Sequence, residues 1–185
     1  MKKILIISIL ILTKTISIGQ TSVTTYDTCQ YLQQFEGEWK YSQGADTLKI
    51  YLKYHRRTIS TNNNQDIYVK DCLIGWHEYK QGNMIIETDY PNRFITLPAD
   101  ISTIYNDFSI DLSFDKLLNS CDQNSKKLIG YIKDITQASQ QKDVFATLNS
   151  SNTNMTVKIW HGEWYGHGNG LVGITLPTNI VLIKQ

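Results

Sequence analysis

The segment TLKIYLKYH, residues 47–55, alternates apolar and polar side chains with a period of two residues. Successive side chains of an extended chain point to opposite faces, so one face of this segment is apolar and the other is polar. The apolar face carries Leu48, Ile50, Leu52 and Tyr54. Such alternation is typical of an antiparallel strand that packs one face on a core and exposes the other to water.

Eight further segments have the character of strands, and helical periodicity is confined to windows of about ten residues or fewer. These segments are Phe35–Ser42, Ile67–Lys80, Met84–Thr88, Phe108–Phe114, Lys127–Ile135, Asp143–Leu148, Met155–Trp160 and Thr178–Lys184. Short strands joined by tight turns, without long helices between them, predict one all-β domain: a single antiparallel up-and-down barrel of about 8–10 strands. A β-sandwich is the alternative. A short helical turn within Tyr26–Gln34 is expected to close one end of the barrel.

The first 20 residues have the features of an export signal peptide. Two lysines precede the apolar run Ile4–Leu12, and the small residue Gly19 stands where a signal peptidase cleaves. We predict cleavage after Gly19 or Gln20. A membrane anchor needs about 20 apolar residues, and Lys14 ends this run at about half that length. The mature protein is therefore expected outside the cytoplasm, as a periplasmic, outer-surface or secreted protein without a transmembrane segment.

Composition limits the classes of partner. Three of the 18 Lys and Arg lie in residues 1–20 and none of the 17 Asp and Glu does, so residues 21–185 carry a net charge of −2. This balance argues against nucleic acid, or an anionic membrane, held by bulk charge. The length of residues 21–185 suits one domain with one core.

Three cysteines remain after the predicted cleavage, in a compartment where disulfides persist. Cys29 precedes the first predicted strand and Cys121 lies in a polar loop. We predict that these two form a disulfide and that Cys72 is a buried free thiol on a strand.

The sequence Phe35-Glu36-Gly37-Glu38-Trp39 opens the first predicted strand, and this G-x-W motif after a helical turn resembles the lipocalins and their calycin relatives. The resemblance implies a lipocalin-like barrel over residues 21–185 whose Trp39 packs across the closed end. Lys184 is the candidate to lie over Trp39, where lipocalins usually have an arginine. The ending that contains Thr175-Leu176-Pro177-Thr178-Asn179, together with the G-x-W opening, is also similar to an uncharacterised family of small exported proteins of Gram-negative bacteria.

Alternation assigns a set of side chains to the barrel interior, where they are expected to line a ligand site. They are Trp39, Tyr41, Leu48, Ile50, Leu52, Ile110, Leu112 and Phe114. The first functional hypothesis is a non-catalytic binder of a small apolar or amphipathic ligand. The alternative is a cell-surface or periplasmic structural or interaction module whose barrel is filled by its own side chains. Cavity volume distinguishes the two, because ligand pockets measure about 300–1,000 Å³.

Candidate catalytic and metal-binding residues are few. His161, Glu163 and His167 would share one face of a strand and are weak candidates for metal ligands, but their spacing does not match a zinc helix motif. Neither a nucleophile elbow nor a phosphate-binding or dinucleotide-binding motif occurs in the sequence. We therefore predict neither a catalytic activity nor a cofactor.

Overall fold

The computed structural model describes residues 21–60, 66–98, 107–114, 127–136, 141–160 and 176–185. Within these ranges the chain forms ten strands, one short α-helix and one 3-10 helix. The strands are β1 (Thr21–Thr25), β2 (Gly37–Gln43), β3 (Asp46–Ser60), β4 (Asp66–Gln81), β5 (Met84–Thr88), β6 (Ile110–Phe114), β7 (Lys127–Lys133), β8 (Gln141–Leu148), β9 (Asn154–Trp160) and β10 (Asn179–Lys184). The α-helix, α1, spans Leu32–Phe35, and the 3-10 helix spans Tyr90–Phe94. No helix in these ranges has both the length and the apolar character needed to cross a membrane.

Eight of the strands form a closed antiparallel barrel, in the order β4-β3-β2-β10-β9-β8-β7-β6 and back to β4. Pairing of Lys184 with Trp39 joins β10 to β2, and pairing of Leu73 with Leu112 joins β4 to β6. The barrel confirms the predicted all-β, up-and-down fold. The nine predicted strands correspond to β2–β10, and α1 lies at the end of the predicted helical turn.

Strand β4 is 16 residues long, and one of its edges pairs with three strands in succession. β1 pairs in parallel with its first residues, from Asp66 to Lys70, and β6 pairs with Leu73–Gly75. β5 then pairs with Glu78–Gln81. The long strand therefore holds β1 and β5 against the barrel in addition to closing it, and β1 was not predicted from the sequence.

The two faces of β4 pack into separate apolar clusters. Leu73 and Tyr79 point inward and belong to the main core of the barrel. Cys72, Ile74 and Trp76 point outward and are also fully buried, because Phe108 and the segment after the 3-10 helix pack over them. This second cluster, which we call the outer cluster, explains why β4 is apolar on both faces.

Trp39 lies at the end of the barrel that α1 covers, and its side chain is fully buried. Its indole N–H donates a hydrogen bond of 2.7 Å to the carbonyl oxygen of Phe35, the last residue of α1. Lys184 Nζ lies 5.3 Å from the centre of the Trp39 ring and donates to the carbonyl oxygen of Gln34 at 3.0 Å. The predicted position of Lys184 over Trp39 is thus confirmed. Gly37 has a φ of +110°, a backbone conformation that favours glycine and lets β2 turn away from α1.

Candidate functional site

The predicted lining residues all lie on inward-facing positions of the barrel. Five of them surround a cavity at its centre: Leu48, Ile50, Leu52, Ile110 and Leu112. Trp39 is fully buried at the closed end, and Tyr41 and Phe114 are half-buried and pack against the same core. These side chains share the inward face that alternation assigns to them, and their role in lining a ligand site stays a prediction.

The central cavity has a volume of about 10 Å³, and every side chain that lines it is apolar. The lining is completed by Ile132, Val144, Met155, Val157 and Ile159. A cavity of this size has room for about one water molecule, yet a buried water needs two to four polar partners, which this lining does not offer. Among the residues that the structure describes, the middle of the barrel is therefore filled by its own side chains.

A group of polar side chains is buried beside this apolar core. His77 on β4 is fully buried, and its Nδ1 is hydrogen-bonded to Ser109 Oγ at 2.7 Å. On the other side of the ring, His77 Nε2 lies 3.1 Å from Glu87 Oε1. Asp89 Oδ1 accepts a hydrogen bond of 2.7 Å from the backbone N–H of His77. We call these four residues the buried polar cluster.

The side chains of the buried polar cluster link β4 and β5 to the start of β6 and to the residues after β7. His77 belongs to β4 and Glu87 to β5, while Ser109 directly precedes β6. Glu87 Oε2 also accepts a hydrogen bond of 2.9 Å from the backbone N–H of Ile135, which follows β7. Burial raises the pKa of Asp89, and the nearby His77 opposes that rise. The cluster therefore holds β5 and the segment after β7, at Ile135, against the wall of the barrel.

Ser109, His77 and Glu87 stand at distances that a serine, a base and an orienting carboxylate have in hydrolases. Two further requirements of such a site are not met. The Ser109 residue is only 2% exposed, so a substrate has no access to its hydroxyl group in this structure. Its backbone N–H, a candidate donor to a developing oxyanion, already donates to the carbonyl oxygen of Gly75 at 3.1 Å. The geometry fits a structural network better than a hydrolytic site.

The buried polar cluster was not predicted from the sequence, although the position of His77 on β4 is a signal for it. His77 shares the parity of Leu73 and Tyr79 on β4, and those two side chains point into the core. A polar residue on an inward-facing position must find partners, because an unpaired polar group in a core is costly. The parity of His77 therefore indicated a buried partner, but which residues supply it depends on long-range pairing.

Of the other predicted site residues, the structure describes some and not others. His161, Glu163 and His167 lie outside the described residues, as do residues 1–20 and Cys121. Within the described ranges, no group of three or more His, Cys, Asp or Glu side chains is arranged to hold a metal ion. Cys72 is a buried free thiol, as predicted. Burial, with a smaller contribution from Asp111, raises its pKa to about 12, so Cys72 is not a reactive thiolate near neutral pH.

Comparison with models of protein families identifies a family for the chain. The model of a family described as "Family of unknown function (DUF6705)" matches residues 1–185. No curated protein and no solved structure matches the chain.

Proposed function

Since the chain belongs to the Family of unknown function (DUF6705), whose description names no activity, we propose a function from its geometry. We infer that the protein is an exported, non-catalytic interaction module. In this proposal the filled barrel is a rigid scaffold, and partners bind to its outer surface and loops.

The observation that carries the proposal is the size of the central cavity. At about 10 Å³ it is far below the range of about 300–1,000 Å³ that small-molecule sites occupy. The ten lining side chains come from five of the eight barrel strands, so a ligand of ordinary size would have to displace several of them at once. Cores are packed as densely as organic crystals, and such displacement would sacrifice contacts that stabilise the fold.

Export is the second part of the proposal, and it rests on the signal-like pattern of residues 1–20. The first described element, β1, begins at Thr21, directly after the predicted cleavage positions Gly19 and Gln20. Cleavage at either position would leave every described strand and helix within the mature chain. Removal of the predicted signal peptide is therefore compatible with the described fold.

The proposal is tested by titration with apolar probes, using nuclear magnetic resonance to follow binding. We expect wild-type protein to bind neither benzene nor palmitate. The variant Leu112→Ala removes a side chain that lines the cavity and opens a space on the order of 100 Å³, comparable to engineered cavities that bind benzene. It should therefore bind benzene. Val181→Ala, which trims an exposed aliphatic side chain on β10, is the matched control and should behave like the wild type.

A small apolar or amphipathic ligand is the alternative function predicted from the sequence. One-to-one binding of palmitate to the wild type, with shifts of the resonances of Leu48 and Leu112, would support that alternative and overturn the proposal. Failure of Leu112→Ala to bind benzene, in a variant that still unfolds cooperatively, would show that the core near Leu112 differs from the one described.

A further inference from the structure

The outer cluster ends in a group of charged residues on the outside of the barrel wall. Arg57 on β3 and Lys70 on β4 are directly opposite each other in the ladder of these two strands. Asp111 on β6 lies farther along the same outer face, opposite Ile74. Arg57 Nη1 donates to Asp111 Oδ2 at 2.5 Å. On β4, Cys72 lies between the positions opposite Arg57 and Asp111.

The charges in this group do not balance. Asp111 is the carboxylate that pairs with Arg57, and no ion pair among the described residues includes Lys70. Two like charges directly opposite each other on adjacent strands destabilise a sheet. Burial, followed by the charge of Arg57, lowers the pKa of Lys70. Cys72 does not supply the missing negative charge, because burial raises its pKa to about 12 and keeps the thiol neutral.

An unused hydrogen-bond donor lies in the same place. The side chain of Arg57 is only 16% exposed, and its Nε is buried without an acceptor in the described structure. Buried N–H donors normally have a hydrogen-bond acceptor. An Arg57 N–H without one therefore either destabilises the fold or binds an acceptor that this structure does not contain. An acceptor that is also negatively charged would satisfy Arg57 and compensate Lys70 together.

We propose that Arg57 and Lys70 form a binding site for a phosphate-type oxyanion on the outer face of the barrel. The planar guanidinium of Arg57 offers parallel N–H donors that match phosphate oxygens, and Lys70 adds a mobile point charge. Asp111 orients Arg57 from the far side and limits the affinity, because it competes for the same guanidinium. This site goes beyond the proposed scaffold function and does not depend on whether the barrel holds a ligand.

The test uses the melting temperature of the mature protein in inorganic phosphate and in chloride at equal ionic strength. Phosphate at ten times its dissociation constant should raise the melting temperature by about 3 °C or more. Lys70→Gln should weaken phosphate binding at least tenfold, by about the strength of one charge-assisted hydrogen bond. Lys53→Gln is the matched control. It also removes one lysine charge, at a position of β3 that points to the same face as Arg57, and it should leave phosphate binding unchanged. Equal melting temperatures in the two salts, or equal effects of the two variants, would overturn the proposal.

A second variant addresses the role of the carboxylate. Asp111→Asn leaves a side chain of similar shape but frees Arg57 from its ion pair, so phosphate should bind more tightly than to the wild type. Unchanged or weaker binding by a folded Asp111→Asn protein would contradict the assigned geometry.

The phosphate group could be free in solution or part of a lipid headgroup, and sedimentation with vesicles distinguishes the two sources. If the source is a lipid, wild type but not Lys70→Gln should sediment with phosphatidylglycerol vesicles, while neither should sediment with phosphatidylcholine. A response to inorganic phosphate without sedimentation would identify the free ion, and the absence of both responses would overturn the site.

Discussion

Gly130 lies where β7 approaches β6 most closely, and substitution by alanine tests whether the barrel closes as described. Gly130 pairs with Leu112 across the two strands. A Cβ atom added at Gly130 would lie 1.8 Å from the carbonyl oxygen of Asp111 and 2.8 Å from its carbonyl carbon. The obstacle is backbone, so no side-chain rotation can relieve the clash.

The size of the effect follows from these distances. Ordinary contact of a Cβ begins near 3.4 Å, so the backbone of β6 and β7 would have to separate locally by about 1.6 Å. A hydrogen bond of about 2.9 Å would then be stretched beyond its limit of about 3.5 Å. Two broken hydrogen bonds cost about 0.5–1.5 kcal/mol each, and overpacking costs about 1–3 kcal/mol. We therefore expect Gly130→Ala to lower the free energy of unfolding by about 2–6 kcal/mol.

Urea denaturation followed by tryptophan fluorescence measures this loss, provided that the slope of the transition is unchanged. The matched control is Gly44→Ala in the turn between β2 and β3. Gly44 has a φ of +58° and nothing within 4 Å of an added Cβ, so its substitution should cost only about 1–2 kcal/mol of backbone strain. A Gly130→Ala protein as stable as the wild type, or more stable than Gly44→Ala, would refute the close approach of β6 and β7.

Two further substitutions and one peptide map test other parts of the structure. Trp39→Phe removes the indole donor at the closed end and should lower the free energy of unfolding by about 2 kcal/mol, measured by urea denaturation; an unchanged midpoint would count against the buried indole. Burial raises the pKa of Asp71, but hydrogen bonds from the Arg56 side chain and from a backbone N–H lower the pKa by more than burial raises it. The net shift is therefore downward from 3.8. The stability that Asp71 contributes is therefore present above that pH and is lost as the pH falls below it. Asp71→Asn should be less stable than the wild type at pH 7, and the difference should shrink below pH 3.8 in acid titrations of the melting temperature. Peptide mapping without reductant should recover Cys29 linked to Cys121, and a free thiol at Cys121 would exclude that pairing.

The strand pattern was predictable because each of β2–β10 alternates or is apolar over enough residues to be recognised from the sequence. β1, Thr21–Thr25, contains one aliphatic side chain, and its place is determined by the edge of the long strand β4. The position of Lys184 over Trp39 was also predictable, since the resemblance to lipocalins places a cation there. Local sequence and a known arrangement were sufficient in these cases.

Other features depend on distances that alternation does not contain. Period two assigns Leu48 and Leu112 to the inside of the barrel but does not say how much space remains between them. The volume of the central cavity depends on how side chains from eight strands interdigitate. The contacts of His77 with Glu87 and Ser109, and the opposition of Arg57 and Lys70, likewise join residues far apart in the chain. They required the register of the strands, which the sequence pattern leaves open.

The central proposal is that side chains of the described strands fill the middle of the barrel, so that no small apolar molecule binds there. Native mass spectrometry of the protein, purified without denaturation from the cells that make it naturally, tests this claim most directly. We predict the mass of a polypeptide that begins at Gln20 or Thr21, with no retained small apolar molecule. A stoichiometric added mass that is lost on gentle activation and identified as an apolar compound would contradict the account.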